Sequence, residues 1–140
     1  MKRKLSFLAA MFLTACFLMG CARDASVSLA GEWKLVSYGD PANPMSAVPD
    51  VETLIYFDPE GRLSGNVGCN GFSGEYKVDG NQITFDSVAS TLMACEGPIG
   101  QQEHTVLSVF AATATFELNG NLLRITSADG SSLVLLERSE

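Results

Sequence analysis

The chain has 140 residues, 46% of them hydrophobic, and 9 Lys and Arg against 16 Asp and Glu give it a net charge of −7. That length suits one domain rather than two. The acidic balance argues against a nucleic-acid partner and against binding to anionic lipid head groups.

Lys2, Arg3 and Lys4 form a basic n-region, followed by Leu5 to Gly20, an uncharged and almost wholly apolar run. A spanning helix takes about 20 apolar residues. This run is shorter and has the size of a signal-peptide core, so residues 1–20 are read as a cleaved leader. Their loss takes three basic residues and lowers the net charge from −7 to −10. The run closes Leu18-Met19-Gly20-Cys21, which resembles the lipobox of bacterial lipoprotein precursors. The resemblance implies a diacylglycerol thioether on Cys21, cleavage before it and acylation of the new N-terminus. Leu13-Thr14-Ala15-Cys16 fits the same pattern. Cys21 is preferred because Arg23 and Asp24 follow at once and the apolar core before Cys16 would be short. An ordinary cleaved signal peptide is the other reading. Two or more acyl chains make a durable anchor, which puts the protein in the cell envelope, lipid-anchored and extracytoplasmic. Ala22, not Asp, follows the cysteine, so in a two-membrane cell the outer membrane is expected.

Residues 21–28 then read as the lipidated cysteine and a short polar tether, and residues 29–138 as a β domain. Gly31 to Tyr38 shows an imperfect period of two. Gly39 to Asp50 carries Pro41, Pro44 and Pro49 and reads as a loop. Thr53 to Phe57 and Arg62 to Val67 flank the tight turn Asp58-Pro59-Glu60-Gly61. Phe72 to Val78 and Gln82 to Phe85 flank Asp79-Gly80-Asn81, and Thr115 to Leu118 and Leu122 to Thr126 flank Asn119-Gly120-Asn121, both strong hairpin signals. Asp129-Gly130 leads into Ser132 to Arg138. Between these strands, Ile99, Val106, Leu107 and Phe110 fall at helical spacing, with Gln101, Gln102 and Glu103 polar among them, so one amphipathic helix is expected over Pro98 to Ala112. His104 would sit exposed on it. Tyr76 to Phe85 and Phe116 to Ile125 align position for position, which predicts two like hairpins rather than a repeat architecture. The expected fold is mainly β, a compact antiparallel sheet or partly open barrel of seven to eight strands with one α-helix.

Once Cys16 leaves with the leader and Cys21 is lipidated, Cys69 and Cys95 remain, in a compartment where disulfides persist. A Cys69–Cys95 bridge is favoured, and two buried reduced thiols are the alternative. No C-x-x-C pair accompanies the single histidine, so no metal site and no cofactor are expected. Gly65, Gly68, Gly71 and Gly74 recur every third residue, but a strand follows them where a phosphate loop needs a helix and a lysine. They read as turn, bulge and close-approach glycines. His104 is the sole candidate base, with no G-x-S-x-G beside it, and the carboxylates fall on turns and loops. The expectation is a non-enzymatic protein.

Gly31-Glu32-Trp33 is similar to the G-x-W opening of lipocalins, where the tryptophan plugs one end of a barrel. A larger set of motifs points elsewhere. Leu29-x-Gly31-x-Trp33-x-Leu35, then Gly68-Cys69-Asn70-Gly71-Phe72-Ser73-Gly74-Glu75-Tyr76, then Ala89 to Cys95 with Thr91 and Met93, resembles the META domain of HslJ-type bacterial heat-shock proteins. The resemblance covers about Leu29 to Glu137, with Phe72 standing where a tyrosine is common. It implies a compact antiparallel β domain with one helix, association with the cell envelope and with stress responses, in some members novobiocin resistance, and no catalytic residue. The preferred function is therefore an envelope lipoprotein that supports envelope integrity or stress and antibiotic tolerance by binding an envelope protein. Two alternatives are a carrier of a small apolar ligand, lined by Trp33, Phe85 and Phe110, and an inhibitor of an envelope hydrolase.

Overall fold

Side chains on a β-strand point alternately to opposite faces, and the strands here use that alternation to fill one interior. In β1 (Gly31–Gly39), Trp33 and Leu35 are buried while Glu32 and Lys34 are exposed. The computed structural model describes residues 27–140. The leader of residues 1–20, Cys16, Cys21 and most of the tether lie outside the described residues. Eight further strands follow: β2 (Met45–Ser46), β3 (Leu54–Phe57), β4 (Arg62–Asn66), β5 (Gly71–Asp79), β6 (Gln82–Ser90), β7 (Thr113–Asn119), β8 (Leu122–Ser127) and β9 (Leu133–Arg138). Among the described residues a single helix, α1 (Gly97–Val109), joins β6 to β7.

Each strand from β3 to β9 pairs antiparallel with the next, and β1 pairs with both β3 and β9. The result is a closed eight-stranded antiparallel barrel with a single helix, where a partly open one had been allowed for. β2 adds a two-residue rung outside this ring, pairing Met45 with Tyr38 and Ser46 with Ser37. It falls in the segment expected to be loop, because three prolines mask so short a strand. The two like hairpins form in matching register, with Tyr76 opposite Phe85 and Phe116 opposite Ile125.

Two other boundaries differ from expectation. β6 runs five residues past Phe85, through a bulge that sets Ser73 against Ala89 but Glu75 against Asp86. Ser87 takes a positive φ there, and the polar Asp86-Ser87 pair hides the strand from a pattern search. Gly74 lies opposite the bulge; a Cβ there would stand 2.9 Å from the Val88 Cα, closer than side chains tolerate. The helix stops at Val109, three residues early. Phe110 leaves it to enter the core, its ring 4.7 Å from that of Phe85 and 5.9 Å from that of Phe72.

The barrel has two unlike ends. At one, the β3–β4, β5–β6 and β7–β8 turns gather beside the start of β1 and the end of β9. Trp33, fully buried, closes this hairpin end. Its indole N–H donates to the Leu29 carbonyl at 2.9 Å, and the Arg138 guanidinium lies 4.3 Å over its ring while donating to the Ala30 carbonyl. Gly31 leaves room for that guanidinium, since a Cβ there would stand 2.6 Å from Arg138 Nη1. At the other end lie the β4–β5 loop, the β6–α1 loop and α1 itself, which leans on β1, β8 and β9.

Replacing Trp33 with Ala should cost about 3–5 kcal/mol, as for large-to-small changes of buried aromatics. Urea unfolding followed by far-UV circular dichroism checks this. An unchanged midpoint would mean that the hairpin end does not depend on the indole.

Candidate functional site

The helix carries two polar residues on its inner face. Gln102 is fully buried and Glu103 is 7% exposed. An isolated buried carboxylate is costly, so it must find donors. The Glu103 carboxylate finds them in the β4–β5 loop. Oε2 accepts from the Cys69 N–H at 2.9 Å and the Asn70 N–H at 2.6 Å, and Oε1 accepts from Asn70 Nδ2 at 2.6 Å. Gln102 makes a second tie: Nε2 donates to the Val67 carbonyl at 2.6 Å, and Oε1 accepts from the Val48 N–H at 2.7 Å.

Asn70 then turns its other face to the β6–α1 loop. Its Oδ1 accepts from the Thr91 hydroxyl and the Met93 N–H, both at 2.8 Å, and Nδ2 also reaches the Met93 carbonyl at 3.1 Å. One side-chain amide thus binds three pieces of chain: its own loop, the loop before the helix and the helix. The Cys69–Cys95 disulfide spans the same two loops across 26 residues of sequence. In the chain-entropy model a closure of that length stabilises by about 3 kcal/mol. Gly100 lets the β6–α1 loop fold back onto α1, because a Cβ there would strike the Cys95 carbonyl oxygen.

Burial alone would push the Glu103 carboxyl up. The Asn70 amide and the backbone N–H groups of Asn70 and Cys69 outweigh it and hold the group below the ordinary glutamate value. Glu103 is therefore an ionised acceptor with its oxygens engaged, poorly suited to taking up a proton at neutral pH. Among the described residues no group of three or more His, Cys, Asp or Glu is arranged to hold a metal ion.

The motif residues divide between the two ends. Gly31 and Trp33 belong to the hairpin end, and Tyr76 donates its hydroxyl to the Asp58 carbonyl at 2.8 Å on that side. Gly68, Cys69, Asn70, Thr91, Met93 and Cys95 meet at the helix end, and Gly74 faces the bulge. Gly68 packs against the helix, where a Cβ would lie 3.1 Å from the Ile99 carbonyl oxygen. Trp33, Phe85 and Phe110, named above as a ligand lining, are members of the packed core. Gln102 and Glu103, expected among the polar residues of the helix, are buried instead. The signal was present: Ile99, Glu103, Val106 and Phe110 are spaced four, three and four apart, so Glu103 lies on the apolar stripe itself.

Next to this clasp the surface opens into a shallow cleft of about 350 Å³, bordered by Thr91, Leu92, Met93, His104, Leu107 and Ser108. Leu92 is 95% exposed and Met93 58%. The loop that carries them is held by Asn70 and by the disulfide.

A closed antiparallel barrel whose one helix is clasped to two disulfide-linked loops defines a class of small β domain. The META domain family model matches residues 26–140, and the chain belongs to that family. It is 26% identical over 136 residues to Heat shock protein HslJ of Escherichia coli (strain K12), covering 91% of each chain. Among solved structures it is similar in fold to a protein from Burkholderia xenovorans, with a TM-score of 0.63, 18% identity and coverage of 78% of this chain and 81% of that one. It is also similar to a DUF4847 family protein from Bacteroides vulgatus, with a TM-score of 0.57, 13% identity and coverage of 79% and 93%.

Because folding lowers the pKa of Glu103, the stability it contributes is present above the unfolded glutamate value of about 4.3 and is lost as pH falls through the folded value. The wild-type urea midpoint should therefore drop on acidification from pH 6 to pH 3. Glu103→Gln should be less stable at pH 7 and should lose part of that slope. The rest belongs to turn carboxylates such as Asp129, which the Ser127 hydroxyl and then Ser131 hold down to about 2. Parallel pH profiles for the two proteins would rule out the clasp as a source of acid sensitivity.

Proposed function

We propose that this chain is a non-enzymatic cell-envelope lipoprotein that supports envelope integrity and stress or antibiotic tolerance by binding another envelope component. The observation that supports it most is the use of the motif residues. The polar groups of Asn70 and Glu103 are spent on holding loops, and the loop they hold carries Leu92 and Met93 into solvent. Such a site presents a surface, and the carboxylate behind it is fully engaged as a hydrogen-bond acceptor. The similarity to a heat shock protein supports a stress role, and the lipobox supports anchoring at Cys21.

The geometry suits such an anchor. Residues 27–30 enter at the hairpin end, so a tether from Cys21 would leave the barrel there. Fully extended, its eight residues reach at most about 28 Å, which keeps the hairpin end near the membrane and the helix end turned away from it. Binding to a protein fits better than carrying a ligand inside. A guest between sheet and helix would have to part Phe85 from Phe110, whose rings touch. The hydrolase-inhibitor reading is one special case of protein binding.

Intact-mass analysis of protein isolated from its own envelope tests the placement. The expected species begins at Cys21, carries acyl mass and gains two hydrogens on reduction. A species retaining Met1 without lipid would overturn it. A deletion strain should be more sensitive to heat or envelope-directed antibiotics, and unchanged sensitivity under all such stresses would remove the proposed role.

A further inference from the structure

Leu92 lies in the linker between β6 and α1, 95% exposed, and the chain is pinned immediately on either side of it. Upstream, the Thr91 N–H donates to the Gly71 carbonyl at 3.0 Å and the Thr91 hydroxyl to Asn70 Oδ1 at 2.8 Å. Downstream, the Met93 N–H donates to the same Oδ1 at 2.8 Å, and Asn70 Nδ2 donates to the Met93 carbonyl at 3.1 Å. Two residues further on, Cys95 is bonded to Cys69. Asn70 is itself 5% exposed and is fixed from behind by Glu103.

Leu92 itself is left open. Among the described residues no hydrogen bond takes up its N–H or its carbonyl. Thr91 to Ala94 are all exposed, and no residue of the loop before Gly97 has a positive φ. A segment with that backbone, free polar groups and one prominent side chain is what an endopeptidase binds. The enzyme pairs with an extended peptide as with an added strand. It takes one side chain into its specificity pocket and aims oxyanion-hole donors at the carbonyl of that residue. An ordinary substrate is slack around the bond to be cut. Here both sides of the Leu92–Met93 bond are tied down independently.

We propose that the β6–α1 loop is an inhibitory loop for a serine endopeptidase with a large apolar specificity pocket, and that Leu92 is the residue that enters it. This rests on the binding role proposed above and names the chemistry of the partner. The protease serine adds its hydroxyl oxygen to the Leu92 carbonyl carbon, and the Leu92–Met93 C–N bond breaks. The serine's proton passes through the protease's base to the Met93 nitrogen, leaving an ester at Leu92 and a free amine at Met93. In a slack peptide the amine departs and water hydrolyses the ester. Here Asn70 and the disulfide keep the amine beside the ester, so it attacks again, restores the peptide bond and returns the proton to the serine. Proximity favours that return over hydrolysis. A loop ordered in advance also lowers the entropy a partner must overcome.

The test uses the full chain isolated in mild detergent, titrated against chymotrypsin, subtilisin and trypsin, each cleaving a chromogenic peptide. Competitive inhibition of chymotrypsin and subtilisin is expected, with trypsin, whose pocket takes lysine or arginine, at least tenfold less affected. Leu92→Lys should lose at least tenfold against chymotrypsin and gain at least tenfold against trypsin, an exchange that unspecific apolar contact does not produce. Leu92 is exposed, so the urea midpoint of this variant should be unchanged. Asn70→Ala should turn the loop into a substrate, cut between Leu92 and Met93 at least tenfold faster than the wild type. The cut chain gains the mass of one water, and its two pieces stay joined until the disulfide is reduced. Cutting confined to that bond separates a loosened loop from an unfolded domain. The inference is overturned if neither chymotrypsin nor subtilisin is inhibited, or if Leu92→Lys leaves the preference among proteases unchanged. It is also overturned if the wild-type chain is cut at Leu92–Met93 as fast as a free peptide of residues 88–97. Acylation and the deletion phenotype do not depend on these outcomes, so failure here is told apart from failure of the wider role.

Discussion

The Glu103 carboxylate is the constraint from which the helix end follows. A charge on the inner face of a helix, 7% exposed, has to be met by donors or it destabilises the fold by several kcal/mol. The donors available are consecutive backbone N–H groups of Cys69 and Asn70 and the Asn70 amide. Meeting them fixes where the β4–β5 loop lies against α1. Once that loop is fixed, the remaining face of the Asn70 amide has a defined direction, and Thr91 and Met93 are drawn to it. The order of dependence runs from helix to loop to loop.

The disulfide and the clasp join the same two loops but act differently. Linking Cys69 to Cys95 chiefly narrows the unfolded ensemble, and its contribution grows with the logarithm of loop length. It does not say where along the rim the β6–α1 loop should rest. The amide does, because its four short contacts to Glu103, Thr91 and Met93 are directional. Gly100 is the third requirement, since any side chain there would strike the Cys95 carbonyl. Entropic restraint, directional bonding and steric clearance together produce a loop with almost no secondary structure that is nonetheless well placed.

Most of the barrel could be read in advance from turn chemistry. Gly80 and Gly120 have φ near +60°, as Asp-Gly and Asn-Gly turns require, and the two like hairpins expected around them form. Closure was less legible, because whether β1 meets β9 depends on the summed twist of the intervening strands rather than on any residue pattern. Those contacts run between Trp33 and Arg138 at opposite ends of the domain sequence. At the helix end the bridge was favoured on compartment chemistry, and Asn70 was picked out only as a motif residue. Glu103 and Gln102 were passed over because a polar residue on a helix is ordinarily solvated. Their spacing from Ile99, Val106 and Phe110 carried the contrary information.

An eight-stranded barrel has an interior just wide enough for its own side chains to fill, and here Trp33, Phe57, Phe72, Phe85 and Phe110 help to fill it. That leaves the rim to carry the binding role proposed above. The hairpin rim is made of two- to four-residue turns with little room to vary, and Trp33 and Arg138 are committed to closing it. The helix rim is where the chain spends its long connections, between β1 and β3 and between β6 and β7. Loops on a rigid scaffold are the usual carriers of function because they can be altered without disturbing the core. A loop that is also held by a buried carboxylate's hydrogen bonds keeps that advantage and is ordered beforehand, with Gly68, Cys69, Asn70, Thr91 and Cys95 gathered behind Leu92 and Met93.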